Sequence, residues 1–314
     1  MRTLLLFLSL LTSSLLAQLP AGIKMEKDIA YIEGGDVAQK LDLYLPTTPS
    51  EKPLPLIVHI HGGGWRAGSK FPCPVAAMVL KGYAVASVEY RFSQKAVFPA
   101  QIQDCQAAIR WLRAHAKHYN FDPDHLGAVG GSAGGHLSAL VGTSGGKKAF
   151  PPIGSHLDQS DRVQAVIDIY GPADFSTVVQ QAAEDKNVKN IFAFNTPSDP
   201  YSSLIGTQLD DKPKADAVSP VHYVSKDNPP FLILHGTRDT LVPYAQSVQL
   251  EAALKAKNIP VWLQTLPGVG HAGPAFGKPA VIQLMQAFFD KHLKGTDVEI
   301  KLVPESELAL PASK

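Results

Sequence analysis

The stretch from Leu126 to Leu140 constrains the fold of this chain more than any other part of the sequence. It opens with an apolar run at 126–129, which predicts a buried strand, and passes through the glycine-rich segment 130–135 into a helical run. Glycines on both sides of Ser132 allow a strand to turn sharply into a helix, because no Cβ obstructs the close packing there. Such a turn exposes the serine hydroxyl, and the N-terminus of the following helix favours negative charge beside it. Ser132 is therefore the candidate nucleophile.

The same G-x-S-x-G pattern occurs a second time, around Ser144. This copy follows a helical run and leads into a segment of lysines and prolines, so it lacks both the strand before the serine and the helix after it. The sequence therefore predicts a polar surface loop at 142–146. For Ser132 itself, the alternative to a nucleophile is a solvated serine in a glycine-rich turn.

Composition and charge narrow the class of protein. The chain has 314 residues, of which 45% are hydrophobic and 18% are charged, as is ordinary for a globular protein with a large core. The net charge is +1, and the lysines and arginines are scattered along the chain. The sequence has no basic stretch and no acidic tail, so it predicts no nucleic-acid partner.

The N-terminal residues 1–17 predict a secretory signal peptide. Arg2 supplies a positive charge, residues 3–16 form a leucine-rich run that is short for a membrane span, and Ala17 is a small residue suited to cleavage. An uncleaved N-terminal anchor is the alternative. We therefore expect a secreted or periplasmic protein whose single folded domain comprises residues 18–314, with no membrane contact after cleavage.

The sequence contains two cysteines, Cys73 and Cys105. Export would place them in an oxidising compartment, where a pair can form a disulfide. Two separate buried thiols that behave as small hydrophobic side chains are the alternative, and the sequence leaves both possibilities open. Neither cysteine has a second Cys or a His at metal-ligand spacing, so no metal site is predicted.

Strand-like apolar runs alternate with helical runs over most of the chain. The runs predict strands at 28–32, 39–45, 56–60, 83–88, 126–129, 164–169, 231–234 and 261–266. The helical runs lie at 74–81, 98–118, 133–141, 243–257 and 278–293. The inner strands are almost entirely apolar, which is typical of a parallel sheet that is covered on both faces. We therefore predict an α/β fold with a mostly parallel central sheet and helices on both faces.

Two segments do not follow this alternation. Residues 173–228 are irregular and punctuated by prolines, so we expect a small insertion that lies over the strand ends. Residues 294–314 predict a loose tail.

Four loops that follow the carboxyl ends of predicted strands carry the candidate functional residues. One is the glycine-rich segment 61–65, and the others contain Ser132, Asp239 and His271. In an open parallel sheet the ligand crevice lies at these strand ends, so the four loops converge. A serine hydroxyl needs a base to remove its proton, which a histidine can provide, and a carboxylate orients the imidazole. The sequence thus indicates nucleophilic catalysis by a serine.

Attack by a serine on an acyl group produces an oxyanion, which needs preorganised N–H donors. The amide of Ala133, the residue after the nucleophile, is one candidate donor. The amides of Gly63, Gly64 and Trp65 in the glycine-rich loop are the others. This chemistry requires no metal and no organic cofactor.

Six motifs give the chain a resemblance to serine esterases of the α/β-hydrolase superfamily. They are HGGGW at 61–65, EYR at 89–91, FPAQIQD at 98–104, GGSAGG at 130–135, HGTRDTLVP at 235–243 and GVGHAG at 268–273. The motifs occur in the family's order, and the resemblance covers most of residues 38–292. It implies an α/β-hydrolase fold in which Ser132 is the nucleophile, Asp239 the acid and His271 the base.

Within that superfamily the chain is most similar to the bacterial feruloyl/acetyl-xylan-esterase-like and hormone-sensitive-lipase-like groups. Relatives of the latter kind usually carry a larger helical cap that is built partly from the N-terminus. The N-terminal region here is too short for such a cap, which favours the feruloyl-esterase-like group. Kynurenine formamidases have a similar HGGxW loop, so an amide-type substrate stays open.

Other polar residues near the strand ends have competing interpretations. Asp174 is the second candidate for the acid, but Asp239 has a tight strand-turn-helix setting and precedes His271. We expect His61 and His235 to have structural roles.

Three further polar residues lie in or near the motif segments. His136 follows Ser132 on its helix, and we expect it to point away from a base position. Arg91 and Asp104 either pair beneath the glycine-rich loop or are solvated helix charges.

The aromatic residues suggest where the substrate lies. Trp65 and Tyr170 are the candidate substrate-binding residues, whereas Phe192 and Phe194 are better explained by core packing than by the cleft. Neither the insertion nor the short N-terminal region contains the apolar stripes that would build a deep tunnel. We therefore expect an open cleft beside Trp65 that takes a small acyl group or a flat aromatic one.

These features predict a secreted serine carboxylesterase that hydrolyses short-chain acyl or aromatic esters of the acetyl or feruloyl type. The substrate would be a small molecule or an ester on plant polysaccharide. An amidase, peptidase or formamidase with the same three residues is one alternative, and a non-catalytic binding protein with the same fold is another.

Overall fold

A computed structural model of the protein describes residues 19–188, 195, 196 and 198–308. Its strands are β1 (Ile23–Ala30), β2 (Lys40–Pro46), β3 (Leu54–Ile60), β4 (Ala84–Val88), β5 (Phe121–Gly131), β6 (Ala165–Ile169), β7 (Phe231–Gly236) and β8 (Val261–Leu266). They form one sheet in the order β1-β2-β4-β3-β5-β6-β7-β8. β2 runs antiparallel to β1 and to β4, and every other neighbouring pair is parallel. The predicted α/β architecture is therefore confirmed.

Helices cover both faces of this sheet. They are α1 (Ala100–Ala114), α2 (Ala116–Tyr119), α3 (Ala133–Ser144), α4 (Val178–Glu184), α5 (Pro200–Ile205), α6 (Lys212–Val218), α7 (Tyr244–Lys255), α8 (Pro279–Lys294) and α9 (Glu305–Leu308). Short 3₁₀ helices lie at Ala76–Lys81, Pro220–Tyr223 and Pro274–Gly277. The helix predicted at 98–118 is two helices, because His115 leaves the helical conformation between α1 and α2. None of the described helices is long and apolar enough to cross a bilayer.

The sheet separates two apolar cores. One contains side chains of α1, α3 and α7, and the other contains the 3₁₀ helix 76–81 and α8. Cys105 lies in the first core and Cys73 in the second, and both are free thiols. Of the two possibilities that the sequence left open, the separate buried thiols are observed and the disulfide is not. Burial raises the pKa of the Cys73 thiol to about 12 and that of Cys105 well above its usual range, so both behave as buried hydrophobic side chains.

The predicted loose tail is wrong for the part of the tail that the structure describes. The amide of Val303 donates to Gln264 Oε1 at 2.7 Å, and Gln264 Nε2 donates to the Val303 carbonyl at 3.2 Å. Leu308 is 2% exposed and belongs to the same core as α8. Apolar residues at intervals in a polar segment are sufficient to fix it against β8, which the composition of the tail alone did not indicate.

Between β6 and β7 the chain adds α4, α5 and α6, which lie within the insertion predicted at 173–228. Asp199 begins α5, and its carboxylate accepts the amides of Tyr201 at 2.7 Å and Ser202 at 2.9 Å. This cap places α5 beside the glycine-rich loop, where Arg66 Nη1 donates to the Ser198 carbonyl at 2.7 Å. The signal peptide predicted at 1–17 and the residues Phe192 and Phe194 lie outside the described residues.

Candidate active site

Ser132 occupies the sharp turn between β5 and α3. Its backbone has φ 57° and ψ −123°, an uncommon conformation for a residue with a side chain. A Cβ on Gly134 would lie 2.0 Å from the Ile60 carbonyl oxygen, and one on Gly130 would lie 2.4 Å from the backbone of Gly134. Glycine is therefore required at both positions for the turn to pack against β3. The strand, turn and helix that the sequence predicted around this serine are present.

The second G-x-S-x-G copy has a different environment from the one predicted. Ser144 is the last residue of α3 and is 1% exposed, and its hydroxyl donates to the Leu140 carbonyl at 2.6 Å. The predicted polar surface loop is therefore wrong at this residue. A serine can bond back to the helix that it terminates, so a polar residue in this position need not face solvent.

The structure brings together the three side chains of the candidate triad. Ser132 Oγ lies 3.0 Å from His271 Nε2, and His271 Nδ1 lies 2.7 Å from Asp239 Oδ2. Asp239 follows β7 and His271 follows β8, so the parallel strands deliver both residues to the same edge as the serine. The chain order serine, aspartate, histidine matches the order found in α/β-hydrolases.

Asp239 is buried and accepts four hydrogen bonds. Its Oδ1 accepts the amides of Leu241 at 2.8 Å and Val242 at 2.9 Å. Its Oδ2 contacts His271 and also His235 Nε2 at 3.1 Å. Burial opposes ionisation, but the hydrogen bonds from His235 and His271 outweigh it and lower the pKa of Asp239 below its ordinary value. The carboxylate therefore stays charged beside the imidazole that it orients.

The second imidazole on this carboxylate was not predicted as a contact. His235 is fully buried, and its Nδ1 lies 2.7 Å from Ser247 Oγ on α7. Its Nε2 faces the same oxygen of Asp239 that contacts His271. His235 thus has the structural role that the sequence suggested, and the signal for the contact was its position four residues before Asp239 in one tight turn.

Asp174, the second candidate for the acid, contacts no imidazole within the described residues. Its Oδ1 accepts the amide and the hydroxyl of Ser176 at 2.9 and 2.6 Å, and its Oδ2 accepts from Gln249. These neighbours satisfy its oxygens at a distance from the triad. The geometry therefore favours Asp239 over Asp174 as the partner of His271.

The glycine-rich loop is a tight turn that lies directly against the serine turn. The amides of Arg66 and Ala67 donate to the Gly63 carbonyl at 3.2 and 3.0 Å. A Cβ on Gly63 would lie 2.0 Å from the Ala67 carbonyl oxygen, and one on Gly62 would lie 2.7 Å from that of Gly131. Positive φ angles of 116°, 60° and 57° at the consecutive residues 63–65 keep this backbone beside the start of α3. The four candidate oxyanion donors therefore belong to two adjacent segments.

His61 fixes the start of this loop. Its Nε2 lies 2.7 Å from Glu89 Oε1, and its Nδ1 lies 2.7 Å from the Gly62 carbonyl. The ring of Tyr90 stacks on the imidazole at 4.4 Å, and the Tyr90 hydroxyl donates to the His61 carbonyl at 3.0 Å. Both ring nitrogens of His61 make hydrogen bonds within the protein, so neither is available as a base. This explains the structural role that the sequence suggested.

Arg91 and Asp104 form the predicted pair behind this loop. The guanidinium Nε and Nη2 each donate to the carboxylate at 2.9 Å, and Asp104 is fully buried. Gln39 Nε2 donates to Asp104 Oδ1 at 2.7 Å, and Gln101 Nε2 donates to the Arg91 carbonyl at 2.9 Å. The pair therefore connects the segment after β4 to α1. Of the two possibilities that the sequence left open, the ion pair is the one observed.

Trp65 borders the cleft, but its side chain does not form the open wall that the sequence suggested. The residue is 2% exposed, and its indole Nε1 donates to His136 Nδ1 at 3.1 Å. His136 in turn contacts the Val218 carbonyl through Nε2 at 2.8 Å, and burial lowers the pKa of His136 to about 4. His136 does point away from the triad, and its neutral imidazole connects the glycine-rich loop to the end of α6.

Tyr170, the other candidate substrate-binding residue, lines the cleft beside the triad. Its ring centroid lies 4.6 Å from that of His271 and 4.7 Å from that of Phe276. Burial raises the pKa of Tyr170 to about 12, so its hydroxyl stays protonated at neutral pH.

The cleft at Ser132 has a volume of about 860 Å³. It extends from the serine turn into a groove between the segment 69–81 and α8, neither of which the sequence assigned to the substrate. The residues of these two segments that line it include Ser69, Pro72, Val75, Met78, Met285 and Phe289. The cleft predicted beside Trp65 therefore continues into a largely apolar groove on the α8 side of the sheet.

Asp168, on β6, is a fully buried carboxyl beneath the serine turn. Its Oδ1 accepts the amide of Gly171 at 2.9 Å, and its Oδ2 has no hydrogen-bond partner within the described part of the chain. Burial raises the pKa of Asp168 to about 7. The folded protein therefore retains a proton on this carboxyl at pH values where the unfolded chain has released it.

This protonation predicts how stability changes with pH. Between about pH 4 and pH 7 the folded state binds the extra proton, so the free energy of unfolding falls as the pH rises through this window. The full effect of Asp168 corresponds to about 4 kcal/mol by pH 8. In Asp168→Asn, we expect urea unfolding to show a correspondingly smaller loss of stability between pH 5 and pH 8.

The exposed Asp158 provides the control for this prediction, and Asp158→Asn should follow the wild-type curve. If wild type and Asp168→Asn lose the same free energy of unfolding between the two pH values, the carboxyl ionises normally in the folded protein.

Comparisons with known proteins show which family the chain belongs to. The family model BD-FAE matches residues 41–254. The esterase LipQ of Mycobacterium tuberculosis is 32% identical over 250 residues, which are 78% of this chain and 56% of that protein. The chain spans about half the length of the Mycobacterium esterases that it matches.

Solved structures show the same relationship. A truncated form of a carbohydrate esterase from gut microbiota has a TM-score of 0.76 and 31% identity, with 86% of this chain and 96% of that chain covered. An acetyl ester-xyloside bifunctional hydrolase from Caldicellulosiruptor lactoaceticus has a TM-score of 0.64 and 26% identity, with 82% and 86% covered. With its eight-stranded sheet and the match to most of its length, the chain belongs to the BD-FAE family of α/β-hydrolases.

Proposed function

We propose that the protein is a serine carboxylesterase that hydrolyses esters of short acyl or flat aromatic acids through an acyl-enzyme. The observation that carries this proposal is the pair of hydrogen bonds that join Ser132 Oγ to His271 Nε2 at 3.0 Å and His271 Nδ1 to Asp239 Oδ2 at 2.7 Å. The names of the esterases and carbohydrate esterases that the chain resembles support ester hydrolysis.

The first half of the proposed reaction acylates the enzyme. His271 Nε2 takes the proton of Ser132 Oγ as the oxygen attacks the ester carbonyl carbon. The carbonyl oxygen becomes an oxyanion, which the amides of Ala133 and the glycine-rich loop stabilise; one such donor contributes about 3 kcal/mol to lowering the barrier. His271 then gives the proton to the leaving alcohol oxygen as the carbon–oxygen bond breaks, and the acyl group remains on Ser132.

The second half returns the enzyme to its starting state. A water molecule gives a proton to His271 and attacks the acyl carbon, and the serine leaves as His271 returns the proton to its oxygen. Asp239 stabilises the imidazolium that forms in each half, because it stays ionised and contacts His271 Nδ1. No other reactant is needed besides the ester and water.

The proposed substrate is an ester whose alcohol is a small molecule or a polysaccharide. A carbohydrate esterase and an acetyl ester-xyloside hydrolase among the similar structures support this class. A long fatty acyl chain would need a continuous apolar tunnel, whereas polar side chains of His59, Ser69 and Gln286 interrupt the lining of the groove. We therefore propose acetyl to butyryl and aromatic acyl groups.

A substrate panel tests the proposal. We expect hydrolysis of p-nitrophenyl acetate and butyrate, methyl ferulate and acetylated xylan, and a lower kcat/KM for p-nitrophenyl palmitate. A kcat/KM that climbs steadily from butyrate to palmitate would contradict the proposed acyl size, since each buried methylene would then contribute about 0.8 kcal/mol. Turnover of N-formylkynurenine without turnover of any ester would instead show an amide-type hydrolase.

We also propose that residues 1–17 are removed on export, which would place the enzyme in the periplasm or outside the cell. The charged and leucine-rich N-terminus supports this location. Mass spectrometry of the protein expressed in a bacterial host should find a mature N-terminus near residue 18 in the exported fraction. An intact Met1 in the cytoplasmic fraction alone would contradict the proposal.

A further inference from the structure

His59 lies on the floor of the groove, and neither the triad nor the glycine-rich loop uses it. It belongs to β3, where it pairs with Ser87 of β4 and Val129 of β5. The residue is 5% exposed and lines the same cleft as Ser132. A polar side chain that borders a largely apolar groove is expensive to bury unless it has a partner. The hydrogen bonds of the His59 ring therefore indicate which chemical group of a ligand would be favoured at this point of the groove.

The hydrogen bonds define the protonation of the ring. His59 Nδ1 lies 2.8 Å from Ser87 Oγ, and that hydroxyl donates its single proton to the Lys70 carbonyl at 2.7 Å. Ser87 Oγ must therefore accept from His59, so Nδ1 carries a proton. Burial, together with the nearby His61, lowers the pKa of His59 to about 3, so the ring is neutral. Its Nε2 is then an unprotonated acceptor.

Within the described part of the chain the only hydrogen bond of the His59 ring is the one to Ser87. Nε2 is not fully enclosed by protein atoms, and His59 lines the cleft, so this acceptor is open to a ligand there. An acceptor that borders a cleft and has no protein partner favours any ligand that donates a hydrogen bond to it and disfavours one that covers it with carbon. The groove thus distinguishes a hydroxyl group from an alkyl group at this point.

The position of His59 gives the length of the ligand. Val129 is opposite His59, and Ser132 is three residues further along the same chain segment. At about 3.3 Å per residue, the imidazole lies roughly 10 Å from the serine along the strands. The span from the carbonyl carbon of a cinnamoyl group to an oxygen on the para position of its ring is of this order.

The sheet order indicates which half of the ester lies in the groove. The leaving alcohol must receive its proton from His271, which follows β8. β3 and β8 lie on opposite sides of β5 in the sheet, so the groove above His59 extends away from the leaving group. The acyl group therefore lies toward His59, and a bulky alcohol lies on the His271 side.

We propose that His59 is a specificity-determining residue whose Nε2 accepts a hydrogen bond from a hydroxyl at the far end of the acyl group, as in a 4-hydroxycinnamoyl ester. This inference rests on the proposed function, because it concerns the acyl side of the same ester. It assigns a ligand contact to a residue outside the triad and the oxyanion loop.

The wild-type enzyme provides the first test. Methyl 4-hydroxycinnamate, methyl 4-methoxycinnamate and methyl cinnamate share one alcohol and differ only at the para position. We expect kcat/KM for the hydroxy ester to exceed that for each of the other two by tenfold or more, because only the hydroxyl can satisfy the acceptor. Equal values for the three esters would overturn the inference.

Two variants at His59 test the residue itself. His59→Asn places an amide near the position of Nδ1, where it can donate to Ser87, and removes the acceptor from the groove. We expect the ratio of hydroxy to methoxy ester to fall to about one. His59→Gln places an amide near the position of Nε2 and should retain part of the preference. A wild-type ratio in His59→Asn would overturn the role of His59.

Met78→Leu is the matched control, because Met78 lines the same groove without a hydrogen-bonding group. It should alter kcat/KM for the three esters together and leave their ratio unchanged. If the His59 variants fail to fold by circular dichroism, the wild-type ratio still decides.

The outcomes also separate the two proposals. Hydrolysis of p-nitrophenyl acetate with no preference for the hydroxy ester would overturn only the inference about His59. Absence of hydrolysis for every ester would overturn the proposed function and this inference with it.

Discussion

Replacing Ser132 with alanine is expected to lower kcat for p-nitrophenyl acetate by about four to six orders of magnitude and to leave the fold intact. The reason is that alanine leaves no oxygen beside His271 and Asp239 that could attack the ester and accept the acyl group. The backbone of the turn should persist, because it depends on the glycines around the serine and not on its hydroxyl. Steady-state kinetics and thermal unfolding followed by circular dichroism measure the two effects.

Ser144→Ala is the control, since it removes the serine of the other G-x-S-x-G copy. That hydroxyl is buried and donates to the Leu140 carbonyl, so its loss should cost about 1 kcal/mol of stability and leave kcat/KM within about twofold. Full activity in Ser132→Ala together with an inactive Ser144→Ala would show that the other turn carries the nucleophile.

The largest expected effect on stability comes from Asp104→Ala. This change leaves the Arg91 guanidinium, which is 21% exposed, without its carboxylate, and it removes an acceptor from Gln39. Breaking a buried ion pair from one side costs about 3–5 kcal/mol, because the remaining charge is uncompensated. We expect a loss of that size in the free energy of unfolding by urea, and a lower kcat because the segment beside the glycine-rich loop loses its anchor.

Glu251→Ala provides a matched control on α7, where Glu251 pairs with a lysine that is 60% exposed. Solvent screens such a pair, so the loss should stay below about 1 kcal/mol. Equal losses in Asp104→Ala and Glu251→Ala would contradict the view that the Arg91–Asp104 pair is buried and structural.

Local patterns in the sequence were enough to predict a run that overlaps each strand of the sheet, and the loops that meet at the candidate triad, although β1 begins at Ile23 and not at residue 28. A serine between glycines, preceded by an apolar run and followed by a helical one, has few other conformations. The parallel sheet then makes segments that are far apart in sequence converge, so Ser132, Asp239 and His271 were predicted as one site without knowledge of any distance. The structure places these three side chains within hydrogen-bond distance of one another, and their convergence depended only on short segments and one topological rule.

Several of the contacts that the sequence did not indicate join distant segments. A tryptophan is equally suited to lining a cleft and to packing against an imidazole, so the sequence could not say which environment Trp65 has. The structure shows that its indole contacts His136. The groove beside α8 exists because the segment 69–81 and α8 are spaced apart. Hydrophobic periodicity shows which face of each segment is buried but not the distance between them. Ser144 and the tail at Val303 were misassigned because their partners are not visible in local sequence: the Ser144 hydroxyl donates to the Leu140 carbonyl, and the backbone of Val303 pairs with the side chain of Gln264.

The chain of contacts from Trp65 through His136 to the Val218 carbonyl has a consequence for protein engineering. It makes the insertion between β6 and β7 a support of the glycine-rich loop, because the final residue of α6 accepts a hydrogen bond from the imidazole to which the indole donates. We therefore expect a shortened protein without residues 173–228 to lose the conformation of the glycine-rich loop, and with it the geometry of the candidate oxyanion donors. Grafting a relative's insertion onto this core would succeed only where the graft returns a carbonyl to the same nitrogen of His136.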